Sequence, residues 1–467
     1  MSVPSCAGCR ERDERVAALE LRVRELEARL GKNASNSSLP PSANPPQAPP
    51  PVVKTPTGKK RGAQPGHPPL LRRRLPPQRL AQVIPIIPTT CSRCQAPLPA
   101  QAGPNDPEPT WHQVAELPPV AALVVEYQGC ARTCSCCGEV TRAAIPADVR
   151  AYSIGVRLAA VLAYLVGAHR VSRRGIEEIV EAVFDVPVSL GTVCHLETQM
   201  AEALAPAHAE AMQAVREAPA KHVDETSWKK AGKRKAGGRA WLWVAATATV
   251  AVFVIHARRS LAGLQTLLGE VVSGILITDR FSVYGSRPTN LRQVCWSHLR
   301  RDFQAMIDRG DAGASIGKDL REYCDLLFHW WHRVRDGTLQ RRTFRTRAAW
   351  LREDVESVLE RGRVCGCAKT AAVCRELLAV EAALWTFVEH EGIEPTNNLA
   401  ERMLRPAVLW RKGSFGCQSE TGCRFVERML TVVQTLRLQR RSVLAYLEET
   451  LCAHRNGLPA PKLLPTG

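Results

Sequence analysis

The chain has 467 residues, 45% of them apolar, and 63 Lys and Arg against 45 Asp and Glu give a formal charge of +18. That length is too great for one core and leads us to expect about three domains, while the basic excess, spread along the chain, suits a polyanionic partner whose phosphates shed counterions on binding. Seventeen cysteines are too sparse for a secreted disulfide scaffold and no secretory leader precedes them, and the longest apolar run, 16 residues at 240–255, falls short of a membrane span.

In chain order, Val16, Leu19, Val23, Leu26 and Leu30 alternate steps of three and four, which predicts a short coiled-coil helix over 11–31 and self-association. Residues 32–80 form a Pro-rich linker that cannot build a core. Within it Lys59, Lys60 and Arg61 belong to an acid-free basic arm suited to lying along phosphates. Cys91-x-x-Cys94 and Cys134-x-x-Cys137 then predict a zinc ribbon over 81–150, because Zn²⁺ takes four ligands and accepts thiolates at this spacing. Cys130 and Cys136 are alternative ligands, a strand is expected over 120–127, and Cys6-x-x-Cys9 stays unassigned. Residues 151–218 read as helices, with Ser189 starting a second helix after Val186-Pro187-Val188; this has the shape of a helix-turn-helix with Thr192 and His195 on its front, or of an ordinary helix pair.

A different pattern opens at 219–302. Asp224, in HVDET, begins a run of alternating strands, and the buried strand GILIT delivers Asp279 at its carboxyl end, where α/β sheets place ligands. Two such acids on neighbouring strands repel each other, and divalent cations relieve the repulsion; Mg²⁺ or Mn²⁺ on oxygen ligands serves phosphodiester chemistry. His298 and Arg301 stand three apart on a predicted helix and can face one phosphate. Residues 303–393 carry helical periodicity and are expected to be a helical insertion. Residues 394–455 return to the core through PTNNLAERMLRPAVLWRKGSFG, in which Pro406 is expected to limit the helix. Taken alone, Glu401 there reads as the capping-box partner of Asn398 or an i+4 partner of Arg405. The stretch 425–447 reads as one or two amphipathic basic helices closing the domain.

The ordered set KNASNSSLPPS, GAQPGH, paired CxxC, DET, TDRFSVY, CWSHLRRDF and NNLAERMLRPAVLWRKGSFG resembles the transposases of the insertion-sequence sixty-six family of bacterial mobile elements, over nearly the whole chain. The resemblance implies an α/β RNase H-like core interrupted by a helical insertion, with Asp224, Asp279 and Glu401 as an Asp-Asp-Glu triad holding Mg²⁺. It further implies cleavage at the ends of a mobile element and joining of the freed 3′-hydroxyl to target DNA. The expected partner is therefore double-stranded DNA, bound by a homo-oligomer with or without accessory proteins of the element, in a bacterial cytoplasm. Arg402, Arg405, Arg411 and Lys412 become candidate clamps on phosphates. The competing expectation is a zinc-containing DNA-binding regulator, or an inactive relic, that does no catalysis.

Overall fold

The computed structural model describes residues 7–37, 74–230, 238–414 and 416–465. The chain divides into two units, 49–122 and the remainder. In the smaller unit the Gln113 side chain clamps the Leu75 backbone through two hydrogen bonds of 2.8 and 3.1 Å. A Thr90–Pro97 bridge closes a tight turn there. Lys59, Lys60 and Arg61 lie outside the described residues, as does Cys6.

The larger unit begins with α1 (Ala7–Leu30), whose Val16, Leu19, Val23, Leu26 and Leu30 all face solvent. Asn33, buried in the turn after it, organises a local network, and Asn36 reaches Asp308 at 2.9 Å. The KNASN motif is therefore a docking turn. The strand expected over 120–127 does not form: these residues pair with nothing in a ladder, and Leu123 and Val124 are exposed. Pairing starts instead at β1 (Ala131–Thr133) with β2 (Val140–Arg142), a short hairpin.

Next come α2 (Ala147–Arg150), α3 (Val156–His169), α4 (Arg173–Phe184), α5 (Leu190–Ala203) and α6 (Ala205–Glu217). Ser172 and Ser189 cap α4 and α5 by accepting from Gly175 and Thr192, which satisfies one free amide at each helix start. Bidentate pairing of Arg173 with the buried Glu197 ties the two helices together. His195 is exposed, whereas Thr192 is half-buried and bonded to Ser189. Half of α5 is buried against its neighbours, and most of its exposed residues lie in its first turns.

A five-stranded mixed sheet follows: β3 (Ala220–Lys230), β4 (Gly238–Ala246), β5 (Ala251–His256), β6 (Ile275–Thr278) and β7 (Arg292–Val294), in the order β5-β4-β3-β6-β7. β3, β4 and β5 form an antiparallel meander, and β6 and β7 run parallel to β3. The helix α7 (Leu261–Leu268) joins β5 to β6 across one face. Gly263 is required there, since a Cβ would come within 2.7 Å of the fully buried Trp243 ring.

Five helices then leave the sheet before the chain returns: α8 (Trp296–Asp308), α9 (Ala314–Arg335), α10 (Arg341–Arg363), α11 (Ala368–Ala379) and α12 (Ala382–Glu389). They build a second hydrophobic core around Trp296, Trp331, Phe344, Trp385 and Phe387. The return is made by α13 (Asn398–Ser414). Pro406 does not end this helix. A proline forfeits one amide bond, but Ala400, Leu404, Ala407 and Trp410 bury a continuous stripe that holds the turns together across it.

The last two helices are α14 (Glu420–Leu438) and α15 (Val443–Arg455). α14 is a central buried helix, not the basic amphipathic one expected. It also solves the edge problem of β5: the amides of Ala251, Phe253 and Ile255 donate to Thr435 and Thr431 (3.1 Å each) and Glu427 (2.6 Å). Steps of two along a strand match steps of four along a helix, so side chains of one helical face stand in for a missing strand. No described helix is long and apolar enough to cross a membrane.

Candidate active site

Asp224 lies on β3 and Asp279 directly after β6. The parallel register pairs Lys221 with Leu276 and His222 with Ile277; carried on by two residues past the last pair it brings Asp224 level with Asp279, whose charge acts on it. Each acid is anchored by a backbone amide: Glu225 N–H donates to Asp224 Oδ1 at 2.8 Å, and Phe281 N–H to Asp279 Oδ1 at 2.9 Å. Burial holds the Asp224 carboxyl well above the usual carboxylate range, and the charges of Glu225, Asp279 and Glu401 push the same way. Carboxylates crowded like this are stable as anions only beside positive charge.

The third acid arrives on α13, which is stitched to both neighbours at its start. Asn397 donates through Nδ2 to the Val223 carbonyl on β3 (2.7 Å) and through its backbone to Cys295 Sγ (3.1 Å), while Trp296 N–H reaches Pro395 O (3.0 Å). Glu401 thus stands in the first turn of α13, where the helix dipole favours an anion. Its carboxylate partners come from α8 and not from its own helix: Arg301 Nη2 and His298 Nδ1 each lie 3.6 Å from Glu401 Oε1. The capping-box reading of Asn398 with Glu401 gives way too: no hydrogen bond joins the two among the described residues, and it is the preceding Asn397 whose side-chain amide binds β3.

Among the described residues, one group has its potential ligand atoms all within 4.8 Å of one another, Cys295 with His298 and Glu401. The three acids do not close to that spacing. Cys295 is fully buried and burial pushes its thiol up to about 11, so it packs and accepts the Asn397 amide instead of reacting. Burial, then Arg301, lowers the His298 imidazole, against the pull of Glu401. Glu401 Oε1, His298 Nδ1 and Asn397 Oδ1 are buried atoms without a hydrogen-bond partner. Glu401 Oε1 and Asn397 Oδ1 are oxygen acceptors of the kind a divalent cation takes, although the three acids stand further apart than the Cys295–His298–Glu401 group.

Sequence reasoning missed a second layer. Glu225, buried one residue after Asp224 and pointing to the opposite face, accepts from Tyr284 Oη at 2.5 Å and from Arg259 Nε at 2.7 Å. Arg259 in turn lies over Phe281, 3.8 Å from its centroid. The network joins the segment of Asp224 to the segment of Asp279 on the side away from Glu401. Its sequence signal was an acid on the buried phase of β3, together with a tyrosine five residues after Asp279.

Of the candidate clamps, Arg402, Arg405 and Lys412 are exposed. Arg411 is spent bracing α13 on β3, donating to Ser227 and to Thr226 Oγ1. Each CxxC pair forms the same turn within its own unit. The Cys91 and Cys134 amides donate to Ala96 O and Glu139 O (2.9 and 2.8 Å), and the amides of Gln95 and Gly138, both at positive φ, return to the Cys91 and Cys134 carbonyls. In both turns, amides and the second thiol of the pair lower the first thiol. Cys136 occupies the interior of its turn and donates its amide to Cys134 Sγ at 3.4 Å.

A family model described as Transposase IS66 family matches residues 152–424, and a model for a family of unknown function matches residues 12–73. A stretch of 210 residues is 29% identical to an uncharacterized protein, y4qI, of Sinorhizobium fredii, covering 41% of this chain and 38% of that protein.

Proposed function

Because this chain belongs to the Transposase IS66 family, we propose that it is a DNA transposase in which Asp224, Asp279 and Glu401 form the catalytic triad of an RNase H-like core. The observation that carries the reading is the β3–β6 register, which sets the two aspartates side by side beneath the helix that delivers Glu401. The strand order, an antiparallel meander extended by two parallel strands, agrees with such a core.

In this mechanism the three carboxylates hold Mg²⁺ or Mn²⁺, which when bound supplies Lewis-acid activation of the attacking water or 3′-hydroxyl and stabilises the leaving oxygen. The chain itself positions. The Glu225–Tyr284–Arg259 network fixes the backbone that carries Asp224, and Asn397 fixes the start of α13. Arg301 and His298 orient Glu401, while Arg402, Arg405 and Lys412 receive phosphates of the bound DNA. The knuckles at Cys91–Cys94 and Cys134–Cys137 take Zn²⁺ as a structural ion, the exposed face of α1 self-associates, and the basic arm with Lys59, Lys60 and Arg61 adds phosphate contacts.

The test is nicking of DNA carrying the element's terminal repeats in Mg²⁺. Asp224→Asn and Glu401→Gln proteins are expected to bind this DNA and to lose cleavage and strand transfer by at least a hundredfold. Cleavage at the wild-type rate by either variant overturns the assignment.

A further inference from the structure

Alongside the carboxylates, the sheet face beneath α13 opens into a cavity of about 890 Å³. Its floor is the start of β3 with Ile277 of β6, and its walls are the β4–β5 turn on one side and α13 on the other. A space of that size takes a nucleotide. Three features say what it receives. His222, only 8% exposed, lines the floor, and the Asn397 side chain is the polar group that faces its ring.

Arg335 and Arg402, both exposed, stand at the rim, and the acid that also lines it, Glu394, already accepts from Trp331 Nε1 at 3.2 Å. Finally, the cavity begins where the acids end. His222 shares a strand face with Asp224, two residues on, and Arg402 follows Glu401 on α13.

We propose that this cavity receives one unpaired nucleotide of the DNA strand next to the scissile phosphate, its base on Ile277, Leu399 and His222 and its phosphate on Arg402 and Arg335. The proposal rests on the DNA-cleaving reading of the carboxylates but is read out without cleavage. Extruding a base costs a few kcal/mol of stacking, least for a strand already single, so the site selects ends with an unpaired nucleotide.

The experiment uses full-length protein in metal-free buffer and a duplex with a 3′ overhang containing 2-aminopurine. Binding is expected to raise its fluorescence, with no rise when the probe sits in the paired interior. Ala248→Trp, which fills the mouth from an exposed turn, is expected to cut the rise at least threefold, and Asp224→Asn to keep it, so that a failed triad and a failed cavity are read separately. A 5-iodouracil overhang is expected to crosslink wild-type protein within residues 220–222, 247–250, 277 or 392–402, which decides the matter even where a variant misfolds. Crosslinks confined elsewhere, no rise at saturating DNA, or an undiminished rise in a folded Ala248→Trp protein overturn the proposal. So does free 2-aminopurine deoxyribonucleoside monophosphate binding as tightly as the overhang, since that assigns the cavity to a soluble nucleotide.

Discussion

Replacing Tyr284 by Phe removes one oxygen from a wholly buried side chain and leaves its ring in place. The lost hydroxyl donates to Glu225 Oε2 at 2.5 Å, and both residues are sequestered from solvent. A hydrogen bond to a charged, buried acceptor contributes about 1.5–3 kcal/mol, and no water can reach Glu225 to replace it. We therefore expect Tyr284→Phe to lower unfolding stability by about 2 kcal/mol, measured by urea denaturation. Glu225 retains Arg259 at 2.7 Å, so the protein stays folded. Its carboxylate shifts, and with it the adjoining backbone that anchors Asp224. Nicking is expected to slow about tenfold or more with DNA affinity unchanged, since a small displacement of a reacting group is enough for such a loss. A double-mutant cycle with Glu225→Gln supplies the control. If Tyr284→Phe costs as much in the Glu225→Gln background as in wild type, the hydroxyl–carboxylate bond is not the source and the reasoning fails.

Other expectations can be measured on the same protein. Thr435→Val strips both the acceptor and the donor that meet Ala251 across the β5 edge, and denaturation should show a loss of about 1–3 kcal/mol per orphaned group, against near-neutrality for an exposed Thr→Val elsewhere. Gly416 sits at φ +94, where a Cβ would approach Lys229 O to 2.0 Å; Gly416→Ala should lower the Tm by several degrees and weaken nicking by loosening the end of α13. Burial depresses His208 and brings His222 to about 4. Both take up protons on unfolding, so stability should be full above pH 6.5 and fall as the pH drops from there toward 4, with a shallower fall in His208→Gln. Metal analysis should find about one zinc per chain, and Cys91→Ser or Cys134→Ser protein that keeps all of it would remove the knuckles from the account.

The parts of the site legible in the sequence were those fixed by local pattern. A β-branched run ending in aspartate announces a strand end, and β6 delivers Asp279 there. His298 and Arg301, one helical turn apart, do face a common partner, Glu401. What stayed hidden was set by tertiary context. Pro406 looked like a terminator because propensity counts a lost amide bond and cannot count the buried stripe that outweighs it. Likewise the 120–127 segment had strand composition but no neighbour to pair with, and a strand without a ladder gains nothing from its β-branched residues.

The same distinction explains α14. Its Thr431, Thr435 and Glu427 look like ordinary polar breaks in a helix, yet they are buried because a strand edge needs acceptors there. Glu401 belongs with them. Its sequence neighbours offered it Asn398 and Arg405, and the fold instead set it against α8, with one buried oxygen left unsatisfied beside the aspartates. A capping glutamate would sit equally well on any exposed helix start. Asn397 commits both its backbone amide and its side chain to pinning this helix to β3 and the start of α8, which fixes Glu401 relative to Asp224, as the proposed triad requires.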